Sequence, residues 1–292
     1  MFRNLSPGAI GIRGLSLAES IALAKKSGFA GIDFSIREAA ALADEHGIDY
    51  VRNLFGRAGI LPGQWGLPVA WNRDQWEKDL EQLPALAALG RDLGCTRTCT
   101  WCACHSNERE YAENFSWHVE RLRPIAEVLK EHDCRLGIEF IGPKTSRARG
   151  KYEFIYTLEG MMELAEAIGT GNVGLLLDAW HLYTSGGSVD DLDKITAKDV
   201  VAVHVNDAPA GVDRDEQIDN IRRLPMETGV IDLPGFMRKL EEMGYDGPIT
   251  PEPFSQCVNA IEDPLEAAQL VAEYMDKMWR AKTAPPSAQR HP

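Results

Sequence analysis

The chain has 292 residues, of which 44% are hydrophobic and 26% charged, a balance that can bury a sizeable core and argues against disorder. Its 44 acidic residues outnumber 31 basic ones, for a formal charge of −13, and such a surface repels nucleic-acid phosphates and anionic membranes. No run of about 18 apolar residues occurs, and the opening MFRNLSPGAIGIRGL lacks the apolar core of a secretory signal, so a cytoplasmic protein with neither a nucleic-acid nor a membrane partner is expected.

In chain order, Gly8–Ile12 reads as a short strand, and Ser16 with Glu19 forms a capping box that opens a helix ending at Ser27-Gly28. Gly31–Ser35 is a second strand, followed by a helical stretch over Ala39–Leu54 that Gly47 interrupts, then an irregular strand segment over Leu61–Trp71. Asp74–Leu93 has helical spacing, and Cys95–Cys102 is short, Thr-rich and suited to a strand. Phe115–His132 is helical, with Pro124 near a first turn or a kink. Arg135–Phe140, Val173–Ala179, Val200–Asn206 and a segment near Pro248–Glu252 read as buried strands. Helical stretches follow or separate them at Leu158–Ile168, Val189–Ile195, Leu233–Met243 and Asp263–Trp279.

The result is eight strand-then-helix units with no composition break, and strands too apolar to keep one face in water. A length prior of about 150 residues per domain suggests two domains, but an α/β barrel takes about 250 residues as one unit. A single (β/α)8 barrel over residues 1–280 is therefore expected, with a Pro-rich, disordered tail over 281–292. The rival is a doubly wound open sheet, whose dinucleotide-binding form needs G-x-G-x-x-G after the first strand; GAIGIRG does not have that spacing.

Chemistry on a barrel is carried at the carboxyl ends of the strands. A lone acid there could simply cap the next helix. Here the last four strands end in Glu139, Asp178, His204 and Glu252, and four such coincidences point to one site. Three carboxylates brought together repel one another unless a cation lies between them. Oxygen-rich ligation with one imidazole points to Mn²⁺, with Mg²⁺ and Co²⁺ as alternatives, rather than to a structural zinc that prefers thiolates.

Cys95, Cys99, Cys102 and Cys104 crowd into ten residues, unlike a distributed disulfide framework. Cys95 and Cys99 are expected in the core as reduced thiols, with Trp101 to His105 at the rim and His105 as a substrate contact. The alternative of an iron–sulfur or metal site lacks a second, distant cluster. Trp65 and Trp71 either wall the site or pack the loop. Lys144, Arg147, Arg149 and Lys151 form a basic loop that holds a substrate anion, with Lys144 foremost, or is merely solvated. His46, His118 and His132 read as surface or structural.

The words LGIEF, LLLDAWH, VVAVHVND, RRLPMETGVIDLPGF and GYDGPITPEPF together resemble the xylose-isomerase-like barrel superfamily. That group comprises sugar-phosphate isomerases and epimerases and also AP endonuclease family 2. The resemblance implies that Glu139, Asp178, His204 and Glu252 bind one divalent metal, and that Glu139 and Glu252 also flank the substrate carbon that loses and regains a proton. It implies that His181 hydrogen-bonds a substrate oxygen and that Arg222 binds substrate. Arg223 is the fallback, because the usual Pro-Gly-x-Gly reads Pro225-Met226-Glu227-Thr228-Gly229 here.

The expected activity is a metal-dependent sugar isomerase or epimerase acting through an enediolate. A dehydratase or lyase on the same site is the alternative, in the manner of inosose or dehydroshikimate dehydratases or of C-glycoside cleavage. Endonuclease-IV-like repair is disfavoured by the acidic charge and by IRRLP where an Asp-x-His pair would stand. A non-catalytic subunit has no need of two opposed acids. The expected partner is a small sugar or hydroxyketone, and a homo-oligomer fits barrels of this type.

Overall fold

Strands buried on both faces must close on themselves or be covered by helices. In the computed structural model, which describes residues 1–283, both happen. The tail expected over 281–292 lies, beyond Thr283, outside the described residues. The strands are β1 (Phe2–Leu5), β2 (Gly31–Phe34), β3 (Leu61–Gly66), β4 (Arg97–Cys102), β5 (His105–Ser106), β6 (Arg135–Phe140), β7 (Tyr152–Glu153), β8 (Val173–Asp178), β9 (Val200–Val205) and β10 (Pro248–Pro251). Eight of them close a parallel barrel in the order β1-β10-β9-β8-β6-β4-β3-β2, while β5 and β7 pair antiparallel on the rim.

The helices are α1 (Leu17–Lys26), α2 (Ile36–His46), α3 (Ile48–Ala58), α4 (Trp76–Leu80), α5 (Leu83–Asp92), α6 (Tyr111–Glu131), α7 (Lys144–Arg147), α8 (Leu158–Ile168), α9 (Ala179–Thr184), α10 (Leu233–Glu242), α11 (Gln256–Asn259) and α12 (Pro264–Ala281). The Ser16–Glu19 capping box opens α1. Gly47, at φ 84°, separates α2 from α3 because a residue with a Cβ resists that conformation. Among the described residues no helix is long and apolar enough to cross a membrane.

The first strand lies earlier in the chain than its apolar residues suggest. Gly8–Ile12 is not a strand: Pro7–Ile10 forms a 3-10 turn ended by Gly11 at φ 83°. Pro7 has no N–H for a ladder. The barrel strand is instead Phe2–Leu5, paired with β10 on one side and β2 on the other. The third strand also stops at Gly66 rather than running to Trp71, and Pro124 lies inside the 21-residue α6.

The barrel interior is partly polar. Asn4 crosses it into space left by Gly63, where an added Cβ would collide with the Asn4 side chain. Cys99, Leu176, Val201 and Ala202 form a small apolar layer separate from the main core between barrel and helices. The polar residues above this layer open onto the carboxyl rim.

Candidate active site

Strand register brings the site together. Asp178 at the end of β8 pairs with His204 on β9, His204 pairs with Thr250 on β10, and Glu139 on β6 pairs with Trp101 on β4. Glu252 follows β10 directly, its N–H donating to Val205 O at 3.1 Å. One donor atom from each of Glu139, Asp178, His204 and Glu252 lies within 4.8 Å of the others.

Asp178 caps the next helix and also faces the other three residues. Its Oδ1 caps α9 by accepting the Trp180 N–H at 2.8 Å and also accepts from Asn206 Nδ2 at 3.1 Å, while its Oδ2 faces the site. His204 Nδ1 lies 3.4 Å from Glu139 Oε1 and 3.4 Å from Glu252 Oε2. Its other nitrogen, Nε2, lies 3.2 Å from Gln64 Nε2. Gln64 in turn donates to Asp33 Oδ2 at 3.1 Å, and Asn4 donates to Asp33 Oδ1 at 2.5 Å and to Thr250 Oγ1 at 2.9 Å. Burial pushes the Asp33 carboxyl up to about 6, against the pull of His204 and its two amide partners.

Arg222 is 2% exposed, so all of its charge must be matched by protein. Its Nη1 donates to Asp178 Oδ2 at 2.8 Å and Glu252 Oε2 at 3.0 Å, and its Nη2 to Asp219 Oδ1 at 2.8 Å. Burial alone would lower its pKa, but these carboxylates outweigh it and hold the guanidinium charged. Arg223 instead points outward, 3.9 Å from Glu227, while its backbone exchanges hydrogen bonds with Asp207. Asp207 clamps this loop, accepting N–H bonds from Ala208 and Ile231 on Oδ1 and from Thr228 and Gly229 on Oδ2.

His181 accepts the Gly142 N–H on Nδ1 at 3.2 Å, which turns Nε2 toward Glu139 at 3.9 Å and Asp178 at 3.8 Å, with Arg222 Nη2 at 3.1 Å. Burial, then the Arg222 charge, pushes His181 down to about 3, so the ring is neutral. His105, half-buried, packs close against Gly150 and lines the same cavity of 600 Å³. Lys144 is not in that lining; its Nζ pairs with Asp215 Oδ2 at 2.7 Å on the surface.

A cation fits this donor set. Burial, with the nearby Glu252 and Asp178 carboxylates, pushes Glu139 up to about 7 against the opposing effect of His204. Glu252 is held below its ordinary value, because His204 and Arg222 outweigh its burial. Although 3.4 Å apart, the buried Glu139 Oε1 and His204 Nδ1 have no hydrogen-bond partner among the described residues. Unmatched lone pairs converging from carboxylates and an imidazole are the donors a divalent metal takes. Arg222 supplies only one positive charge against Asp178, Asp219 and Glu252, so Glu139 has only His204 beside it.

The structure adds neighbours that the sequence did not single out for the site: Asp219, Asn220 and Phe254 in the cavity wall, and Gln64 and Asp33 beneath His204. Of these, Asn220 and Phe254 have left-handed backbone, at φ 64° and 40°, a conformation that a phenylalanine adopts only under constraint. Cys95 and Cys99 are core: both are buried, and burial raises both thiols. Trp65 and Trp71 are also buried, their indole N–H groups donating to Cys95 O and Thr100 Oγ1.

The family model for the xylose isomerase-like TIM barrel matches residues 21–278. The inosose isomerase of Halalkalibacterium halodurans is 29% identical over 140 residues, 47% of this chain and 45% of that protein. The chain thus spans about half the length of the curated relatives it matches. Among solved structures, a xylose isomerase domain protein from Alicyclobacillus acidocaldarius subsp. acidocaldarius superposes with a TM-score of 0.85 at 29% identity, covering 97% of this chain and all of that one. The IOLI protein, described with a binding zinc atom, shares the fold at a TM-score of 0.78 and 19% identity, covering 98% of this chain and 100% of its own.

Proposed function

The chain belongs to the xylose isomerase-like TIM barrel family, and on that premise we propose that it is a divalent-metal-dependent isomerase or epimerase of a sugar or cyclic hydroxyketone. The observation that carries this reading is the pair of carboxylates, Glu139 and Glu252, flanking His204 Nδ1 at 3.4 Å each. Glu139, Asp178, His204 and Glu252 would hold the ion, and three carboxylates with one imidazole favour Mn²⁺. When bound, it would supply Lewis acidity to two adjacent substrate oxygens as charge develops on them.

The proton work falls to the protein. A carboxylate, Glu139 or Glu252, takes the proton from the carbon next to the substrate carbonyl. Return from the opposite acid inverts that carbon; return by the same acid to the neighbouring carbon exchanges aldose and ketose. The neutral His181 offers Nε2 to a substrate oxygen. Arg222, fixed by three carboxylates, holds Asp178 and Glu252 in place in the cavity wall. The name of the relative in Halalkalibacterium halodurans supports a cyclic polyol ketone as substrate.

The test is incubation of the Mn²⁺-loaded protein in D₂O with a panel of ketoses and inososes, followed by NMR. Deuterium at a single carbon of one panel member is expected. Exchange at no carbon of any member, in protein shown to hold the metal, would overturn the proposal.

A further inference from the structure

A second cavity, of 140 Å³, adjoins the metal pocket and shares Trp101, Ala103 and His105 with it. This is the size of a cavity, about 150 Å³, that admits one six-membered ring. The main pocket, at 600 Å³, falls within the roughly 300–1,000 Å³ that buries ligands larger than a single sugar ring. Its shared wall is unusual: Trp101 is 54% exposed although it is among the largest apolar side chains in the protein. In register it stands directly beside Glu139 on the neighbouring strand, one strand spacing, about 4.8 Å, away.

The small cavity is built and rigid. Trp71 is pinned by its bond to Thr100. The Arg109 guanidinium lies 4.1 Å over the Trp117 ring and is held by Asn114 Oδ1 at 3.1 Å and Glu108 Oε2 at 3.0 Å. His118 is fixed through Nδ1 to Asn114 O at 2.7 Å and packs against Trp71 and Trp117. The lining therefore combines aromatic faces with polar edges, which suits the apolar face and peripheral hydroxyls of a ring.

We propose that this cavity is a subsite for a second, hydroxyl-bearing ring joined to the ring that reacts at the metal, so that the substrate is a glycoside-like two-ring compound. The inference rests on the proposed metal site for its orientation. It deepens that reading by naming the substrate class. The second ring comes either from a sugar or from a phenol, and both present the same face and hydroxyls to the cavity.

Direct binding separates this proposal from the catalytic one, because it needs no turnover. Calorimetric titration of the Mn²⁺-loaded full chain would compare methyl β-D-glucopyranoside, phenyl β-D-glucopyranoside and methyl β-cellobioside. At least one two-ring probe should bind about tenfold more tightly than the one-ring probe, and which one does so identifies the source of the ring. Asn72→Trp, at an exposed position on the cavity rim, fills the space and should abolish that advantage while leaving the one-ring affinity within about twofold. Arg109→Met should reduce it, and near-UV circular dichroism would show that both variants fold. Equal or undetectable binding of all three probes, or an advantage that survives Asn72→Trp in folded protein, overturns the proposal, whatever the deuterium experiment shows.

Discussion

Replacing Gln64 by leucine tests whether the polar network under the site serves the metal. Gln64 is buried, and its carboxamide spans His204 Nε2 at 3.2 Å and Asp33 Oδ2 at 3.1 Å. An imidazole that ligates through Nδ1 keeps its proton on Nε2 and needs an acceptor there, so Gln64 must turn its otherwise unpartnered Oε1 to the ring to fix the tautomer and orientation. Leucine preserves most of the volume and removes that group. Losing such an outer partner costs about 10–100-fold in metal affinity, equivalent to about 1.4–2.7 kcal/mol. Asp33 loses a partner at the same time, which adds a stability cost of about 1–3 kcal/mol for a buried acceptor left short. Two assays separate the effects: competition of Mn²⁺ against a chromophoric chelator, and urea unfolding of the apo protein. A folded Gln64→Leu variant that binds Mn²⁺ within twofold of the parent would refute the reasoning, even if its stability fell.

Glu252→Gln removes one of the two opposed acids while keeping its shape, and should slow solvent deuterium incorporation by about 10²–10⁴-fold, the range for a positioned acid or base, as read by NMR in D₂O. Asp207→Asn turns one acceptor oxygen into a donor facing two of the four N–H groups it now receives; at about 1–3 kcal/mol per buried donor left unmatched, the urea midpoint should drop by the equivalent of roughly 2–6 kcal/mol with little change in m. His118 gives a pH dependence with a definite sign. Burial, aided by Arg109, pushes its pKa down to about 4 despite its bond to Asn114 O, whereas the unfolded chain takes up that proton near 6.5. The unfolded state then binds more protons between these values, so stability is complete above pH 6.5 and falls as the pH drops toward 4, by about 3 kcal/mol from this group. His118→Asn, which can keep a donor toward Asn114 O, should flatten that part of the stability profile, and unchanged curves for the two proteins would contradict the assignment.

Glu139, Asp178, His204 and Glu252 were readable before any coordinates because each terminates a run of apolar residues. Such runs are strands buried on both faces, and a charge at their carboxyl end has nowhere to go but the rim. The alternation of strand and helix in the second half was legible for the same local reason. The first strand was not: FRNL has neither alternation nor an apolar run, and Phe2–Leu5 is a strand only because β10 and β2, from opposite ends of the chain, bracket it. Choosing between Arg222 and Arg223 needed the bridge between Arg223 and Asp207, which faces one side chain out and its neighbour in. The basic loop after β6 read as a single patch, yet Asp215 takes Lys144 and Glu153 takes Arg147. Gln64 and Asp33, in short segments with no distinctive pattern, gained meaning only when barrel closure set them beneath a histidine 140 residues away from Gln64. Periodicity and strand-end chemistry act through neighbours in the chain, so they survive in the sequence. The partner of a buried polar group is set by closure across the barrel, which the order of residues does not encode locally.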